Sequence, residues 1–182
     1  SVHPGQLRLL AHTVATYGAL VVLPDEPLGP GAVDLLLRWA ADHDAARSDG
    51  VTLVATGAGA TDALLEIDAG GAVDAAVLYA AAPGVVPDLR DVPALVVGDP
   101  APAASGSAVA ALDLPGATVL ALTDEGHGGG RTSVAGPLPA GRTELVEEQA
   151  RWIGLWVGAV HGDGPSRARL EAAAGADGPP AL

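Results

Sequence analysis

At 182 residues, 49% of them apolar, and with a mean hydropathy of +0.34, the chain is long and apolar enough for one domain with a real core. Its net charge of -13, with lysine absent and nine arginines as the only fixed cations, argues against nucleic acid, whose binding rests on neutralising phosphates. Without cysteine there is no disulfide, thiolate nucleophile or zinc–thiolate site. The apolar runs, broken by Gly, Pro or Asp, fall short of the roughly 20 residues of a membrane helix. No secretory leader is visible, so a cytoplasmic location is expected.

The chain alternates helical and extended patterns. His3 to Tyr17 is spaced as a helix, with Leu7, Leu9, Leu10 and Val14 on one face. The continuous apolar run Ala19 to Leu23 reads as a strand buried on both sides. A Pro- and Gly-rich loop follows, and Ala32 to His43 is the next helix. Val51 to Thr56 is a second strand, with a helix from Thr61 to Ile67 after a turn of small residues. Ala75 to Tyr79, Pro93 to Val97 and Thr118 to Leu122 are the third, fourth and fifth strands. Thr143 to Val157 closes the pattern as an amphipathic helix facing inward with Leu145, Trp152, Ile153 and Trp156.

This alternation predicts an α/β fold: an open, mostly parallel sheet of about five strands with helices on both faces. Residues 1–160 are expected to form the single domain. Residues 161–182, dominated by Gly, Pro, Ala and charge, are expected to form a flexible C-terminal tail, with room for a short helix around Arg167 to Ala174.

The segment Val51-Thr52-Leu53-Val54-Ala55-Thr56-Gly57-Ala58-Gly59-Ala60 passes from a β-branched run into small residues where a helix begins. Its spacing resembles the strand, sharp turn and helix that present the serine of a G-x-S-x-G motif. Ala55 and Gly59 occupy the flanking small positions, and Gly57 stands at the nucleophile position. Upstream, Val21-Val22-Leu23-Pro24-Asp25-Glu26-Pro27, Ala32-Val33-Asp34 and Leu37-Arg38-Trp39-Ala40-Ala41-Asp42-His43 resemble the hormone-sensitive-lipase-like esterases of the α/β-hydrolase superfamily. Dienelactone-hydrolase-like proteins are a less close likeness. The resemblance covers roughly residues 5 to 158.

That likeness implies a triad acid at Asp99, in Gly98-Asp99-Pro100 after the fourth strand. It implies a triad histidine at His127, in Gly126-His127-Gly128 after the fifth. It also implies a backbone oxyanion donor at Ala58. Two parts of the machinery are missing from the pattern. Loss of a triad serine costs on the order of a million-fold in turnover. The Gly-rich oxyanion loop has no counterpart ahead of the first helix, and one such donor is worth about 3 kcal/mol. The expected protein is therefore a truncated, degenerate α/β-hydrolase acting as a binding or scaffolding subunit for a small-molecule ligand.

The alternative is a non-hydrolytic enzyme, a lyase, dehydratase or cyclase, using His127 as acid and base. A weak hydrolase with water activated by His127 and Asp99 is a further variant. The family strand that precedes the oxyanion loop would lie between Ala19–Leu23 and Val51–Thr56. Without it those two segments are expected to pair directly, or a homo-oligomer or a complex with an intact homologous hydrolase supplies it.

Other residues carry weaker signals. Thr56 as nucleophile would put Val54 where a small residue is required. Ser105 and Ser107 read as solvated loop residues, and Asp25 and Glu26 as an acidic turn. Gly57-Ala58-Gly59 is a poor dinucleotide turn, because Asp62 replaces its third glycine and no ribose-binding acid follows Tyr79. His127-Gly128-Gly129-Gly130 spells an oxyanion tetrad at the wrong end of the chain. His3, His12, His43, His127 and His161 lack ligand-like spacing, so neither a metal nor a cofactor is expected.

Overall fold

The computed structural model describes residues 4–23, 31–43, 50–56, 59–79, 92–98, 118–121 and 140–174. Helix α1, Pro4–Ala15, opens on a proline whose missing N–H is no loss in a first turn. Gln6, Leu10 and Val14, four residues apart, form its buried stripe. The chain leaves α1 through Gly18 at φ 90°, a left-handed conformation that glycine adopts without strain. Helix α2 spans Ala32–Asp42, and Asp34 pairs with Arg38 one turn on at its surface.

Strand β1, Thr52–Thr56, leads to helix α3, Gly59–Asp68; strand β2, Ala75–Tyr79, precedes strands β3, Ala94–Gly98, and β4, Thr118–Ala121. Helix α4, Ala140–Val160, is the longest element, and helix α5, Gly164–Ala174, follows it.

The four strands form one parallel sheet in the order β1-β2-β3-β4. Register is continuous: Thr52 faces Ala75, Thr56 faces Tyr79, and Tyr79 faces Val97. The Asp74 carboxylate accepts the Val51 N–H at 2.7 Å, pinning the amino end of the β1–β2 ladder.

Because side chains alternate across a strand, β2 feeds two cores. Ala75, Val77 and Tyr79 meet Leu10 and Val14 of α1 and Val146, Ile153 and Trp156 of α4. Ala76 and Leu78 meet Leu64 and Ile67 of α3, with Leu37 of α2 packed against that group. All five β2 residues are buried, as expected of a strand covered on both faces. The molecule is thus a mixed α/β structure with helices on both sides of a small open parallel sheet.

At the junction of α1 and α4, Tyr17 lies against Gly154 so closely that a Cβ there would overlap the phenol ring. Glycine is the only residue that permits this approach.

Two expectations are corrected. Ala19–Leu23 is not a strand: it makes no ladder with β1 or any other described strand, so the described sheet has four strands rather than about five. Ala19 and Val21 pack against the α1–α4 core, while Leu20, Val22 and Leu23 are exposed. An apolar β-branched run becomes a strand only beside a partner strand, and β propensity alone does not supply one. Within the expected tail, residues 164–174 form α5. Its Leu170 packs on the α4 core, and its first turn is held by Asp163, which accepts the Ser166 N–H at 2.9 Å. Residues 175–182 lie outside the described residues.

No helix among the described residues is long and apolar enough to cross a membrane.

Candidate functional site

All four strands are parallel and so end on one side of the sheet, where open α/β sheets gather their ligands. The last residues of β1 to β4 are Thr56, Tyr79, Gly98 and Ala121. Gly57 and Ala58 follow β1 in the chain, Asp99 follows β3, and His127 comes after β4. All four lie outside the described residues, as do Ser105, Ser107, Asp25, Glu26 and Gly128 to Gly130. At about 4.8 Å between neighbouring strands, the ends of β1 and β3 stand about 10 Å apart with β2 between them. Thr56 is half-buried and shares the α1–α4 face with Tyr79.

The described chemistry at this end centres on Tyr79. The Gln6 side-chain amide of α1 donates to the Tyr79 hydroxyl at 2.7 Å. That hydroxyl in turn donates to Gln149 Oε1 of α4, also at 2.7 Å. All three residues are nearly sealed from solvent, at 5% exposure for Gln6, 2% for Tyr79 and 3% for Gln149. The order of donors is fixed by chemistry, since an amide nitrogen only donates and an amide oxygen only accepts. The relay ties α1, β2 and α4 together at the carboxyl end of the sheet.

Sequence reasoning passed over this cluster, although a signal was present. Gln6 and Gln149 are the only glutamines in the chain. Each occupies an apolar helical stripe, Gln6 with Leu10 and Val14, Gln149 with Leu145, Ile153 and Trp156. A polar residue on such a stripe needs a buried partner, and the partner here is shared.

A second polar contact lies at the other end of the sheet. His161, just beyond α4, places Nε2 2.7 Å from Thr52 Oγ1 on the first residue of β1, with its ring against Gly50. Hydroxyl and imidazole nitrogen can each donate or accept here, so the contact serves either tautomer. Of the other described histidines, His12 is exposed and His43 packs its ring against Trp39, centroids 4.6 Å apart. Among the described residues, no group of three or more His, Asp or Glu side chains is placed to hold a metal ion.

Asp163 is held below the ordinary aspartate range. The Ser166 hydroxyl is the main cause and the Ser166 backbone N–H the next, with Arg169 adding to them against a small opposing effect of desolvation. This is an exposed helix cap rather than a reactive carboxylate.

Searches with protein-family models, against curated proteins and against solved structures find no match for this chain.

Proposed function

We propose that the chain is a degenerate α/β-hydrolase that serves as a binding or scaffolding subunit, with a small-molecule pocket at the carboxyl end of its sheet. The observation that carries this reading is the strand order. Four parallel strands in sequence order end on one side in Thr56, Tyr79, Gly98 and Ala121, and the sequence resemblance expects the nucleophile position, acid and histidine after the first, third and fourth of them. A glycine at the first of these positions removes the covalent step and relaxes a turn that is strained for other residues.

A partner follows from the exposed apolar side chains. Leu20, Val22, Leu23, Leu35, Trp39 and Val54 are exposed. Apolar surface of this kind marks an interaction site when it is contiguous. We assign the partner as a second copy or an intact homologous hydrolase.

The test is turnover of p-nitrophenyl acetate and butyrate by the purified chain, with light scattering on the same sample. No turnover above buffer is expected, and none should be gained in Gly57→Ser. Turnover that disappears in His127→Ala would overturn the binding role in favour of acid–base catalysis. A clean monomer would remove the scaffolding part.

A further inference from the structure

Parallel pairing uses the peptide groups of every second residue, so the ladder with β2 decides which groups of β1 are spent. The Val51 carbonyl accepts the Ala75 N–H, and the register from Thr52–Ala75 to Thr56–Tyr79 is unbroken. Val51, Leu53 and Ala55 therefore turn their N–H and C=O groups toward β2, while Thr52, Val54 and Thr56 turn theirs away from it. On that outer side β1 ends the strand order of the described sheet. Its exposure agrees: Val54 is 37% exposed and Thr52, Leu53 and Thr56 are half-buried, whereas all five residues of β2 are buried.

Sheet edges are commonly protected by a lysine, a proline or a bulge. Thr52-Leu53-Val54-Ala55-Thr56 has no charge and no proline, and its ladder with β2 has no bulge. The same strand is nearly self-complementary when two copies run in opposite directions about Val54. Thr52 then meets Thr56, Leu53 meets Ala55 and Val54 meets its own counterpart, with β-branched pairs of the kind that stabilise antiparallel neighbours. The outward peptide groups fall into the same alignment, and their three facing pairs give about six inter-strand hydrogen bonds. Charge restricts where two copies can meet. Each carries a net charge of -13, so a stable self-contact has to avoid setting carboxylates face to face, and β1 has none.

We propose that β1 is a self-association edge, paired antiparallel with β1 of a second copy about a two-fold axis through Val54. The axis runs perpendicular to the sheet, so the two described sheets become one, α1 and α4 of both copies lie on the same side, and each Val54 is covered by the other. The contact is isologous and closes at the dimer. It rests on the scaffolding reading above only in taking a second copy as the partner, and it places the contact on the strand edge rather than on exposed Leu35 and Trp39 of α2.

Sedimentation velocity of the full chain over a concentration series is expected to show a monomer–dimer equilibrium. It should tighten as NaCl rises from about 0.05 to about 0.5 M, because screening weakens the repulsion between two acidic copies. Val54→Pro deletes an outward N–H from each copy and leaves the bonds to β2 in place, the one orientation in which an edge strand tolerates proline. The dimer should weaken at least about tenfold. Should that variant fail to fold, Val54→Glu sets two carboxylates opposite each other and must weaken it likewise. Leu35→Ser, on the exposed side of α2, should leave it unchanged. Because the chain has no cysteine, Val54→Cys introduces a single thiol, and facing Cα atoms about 5.5 Å apart suit a disulfide. Diamide should convert that variant to a covalent dimer, and should not do so for Leu35→Cys.

A wild-type chain that stays monomeric overturns the proposal, as does a dimer that loosens when salt is added. A dimer that survives Val54→Glu or a folded Val54→Pro, or that fails to cross-link in Val54→Cys, overturns the edge and leaves the scaffolding reading intact. Loss of the dimer in Leu35→Ser alone does the same, moving the contact to α2. Ester turnover by a chain that still dimerises through Val54 would overturn the binding-subunit reading and leave the edge intact.

Discussion

The α4 side of the sheet and the β1 side are finished differently. Along α4, Val146, Ile153 and Trp156 are almost wholly buried against α1, β2 and β3, Leu145 is as deeply buried, and even the polar Gln149 is enclosed and bonded. In the chain from residue 20 to β1 the large apolar side chains Leu20, Val22, Leu23, Leu35, Trp39 and Val54 stand in solvent. All seven exposed large apolar residues among the described ones, Leu65 included, fall between positions 20 and 65. The contrast separates two uses of the same residue types. On the α4 side apolar surface was consumed by folding, and on the β1 side it is left over for association or for chain outside the described residues.

The sharpest way to break this comparison is a pair of truncations. Ile153→Ala should cost about 2 to 5 kcal/mol of unfolding free energy, as expected for a sealed aliphatic side chain. Leu35→Ala should lie within about 0.5 kcal/mol of the parent. Urea denaturation of both variants measures the difference, and similar costs would mean that α2 is packed as firmly as α4.

Next in size is Gly154→Ala, which drives a methyl into the Tyr17 ring at the α1–α4 junction. Overpacking of this kind costs about 1 to 3 kcal/mol. Tyr17→Ala in the same background should recover part of the loss, and a double-mutant cycle reads the coupling.

The smallest effect belongs to the α5 cap. Asp163 has a folded pKa below the ordinary value of 3.8, so its contribution is fully present above that value and fades as pH falls through the lower, folded one. Amide exchange at Ser166 should therefore lose protection below about pH 3.8, while Asp163→Ala loses it at every pH. Protection at Val146 and Ile153, on the firmly packed side, should be unaffected.

How much of this was legible in the sequence depended on whether a signal was local. Ala75–Tyr79 was placed to the residue, because a strand covered on both faces is a short apolar run bounded by polar or small residues. Helix α4 was found with its inward stripe, although it begins three residues earlier than the pattern indicated, since Ala140 and Gly141 carry no periodic signal. Ala19–Leu23 had the composition of β2 and still failed to be a strand, because pairing is a property of two segments and only one was in view. The Gln6–Tyr79–Gln149 relay escaped for a related reason: its members are 73 and 70 residues apart, and no spacing rule joins them. Gly57, Ala58, Asp99 and His127 lie outside the described residues, and the fold supplies only the order and direction of the strands that precede them in the chain.

The pairing of α1 with α4 also bears on how the chain is made. The buried stripe of α1, Gln6, Leu10 and Val14, meets α4, which leaves the ribosome more than a hundred residues later. At about 5 to 20 residues per second, that interval is on the order of ten seconds. Strand β2, which meets the same stripe, emerges about halfway through it, so until α4 arrives the first helix has only part of the surface on which its apolar face is laid.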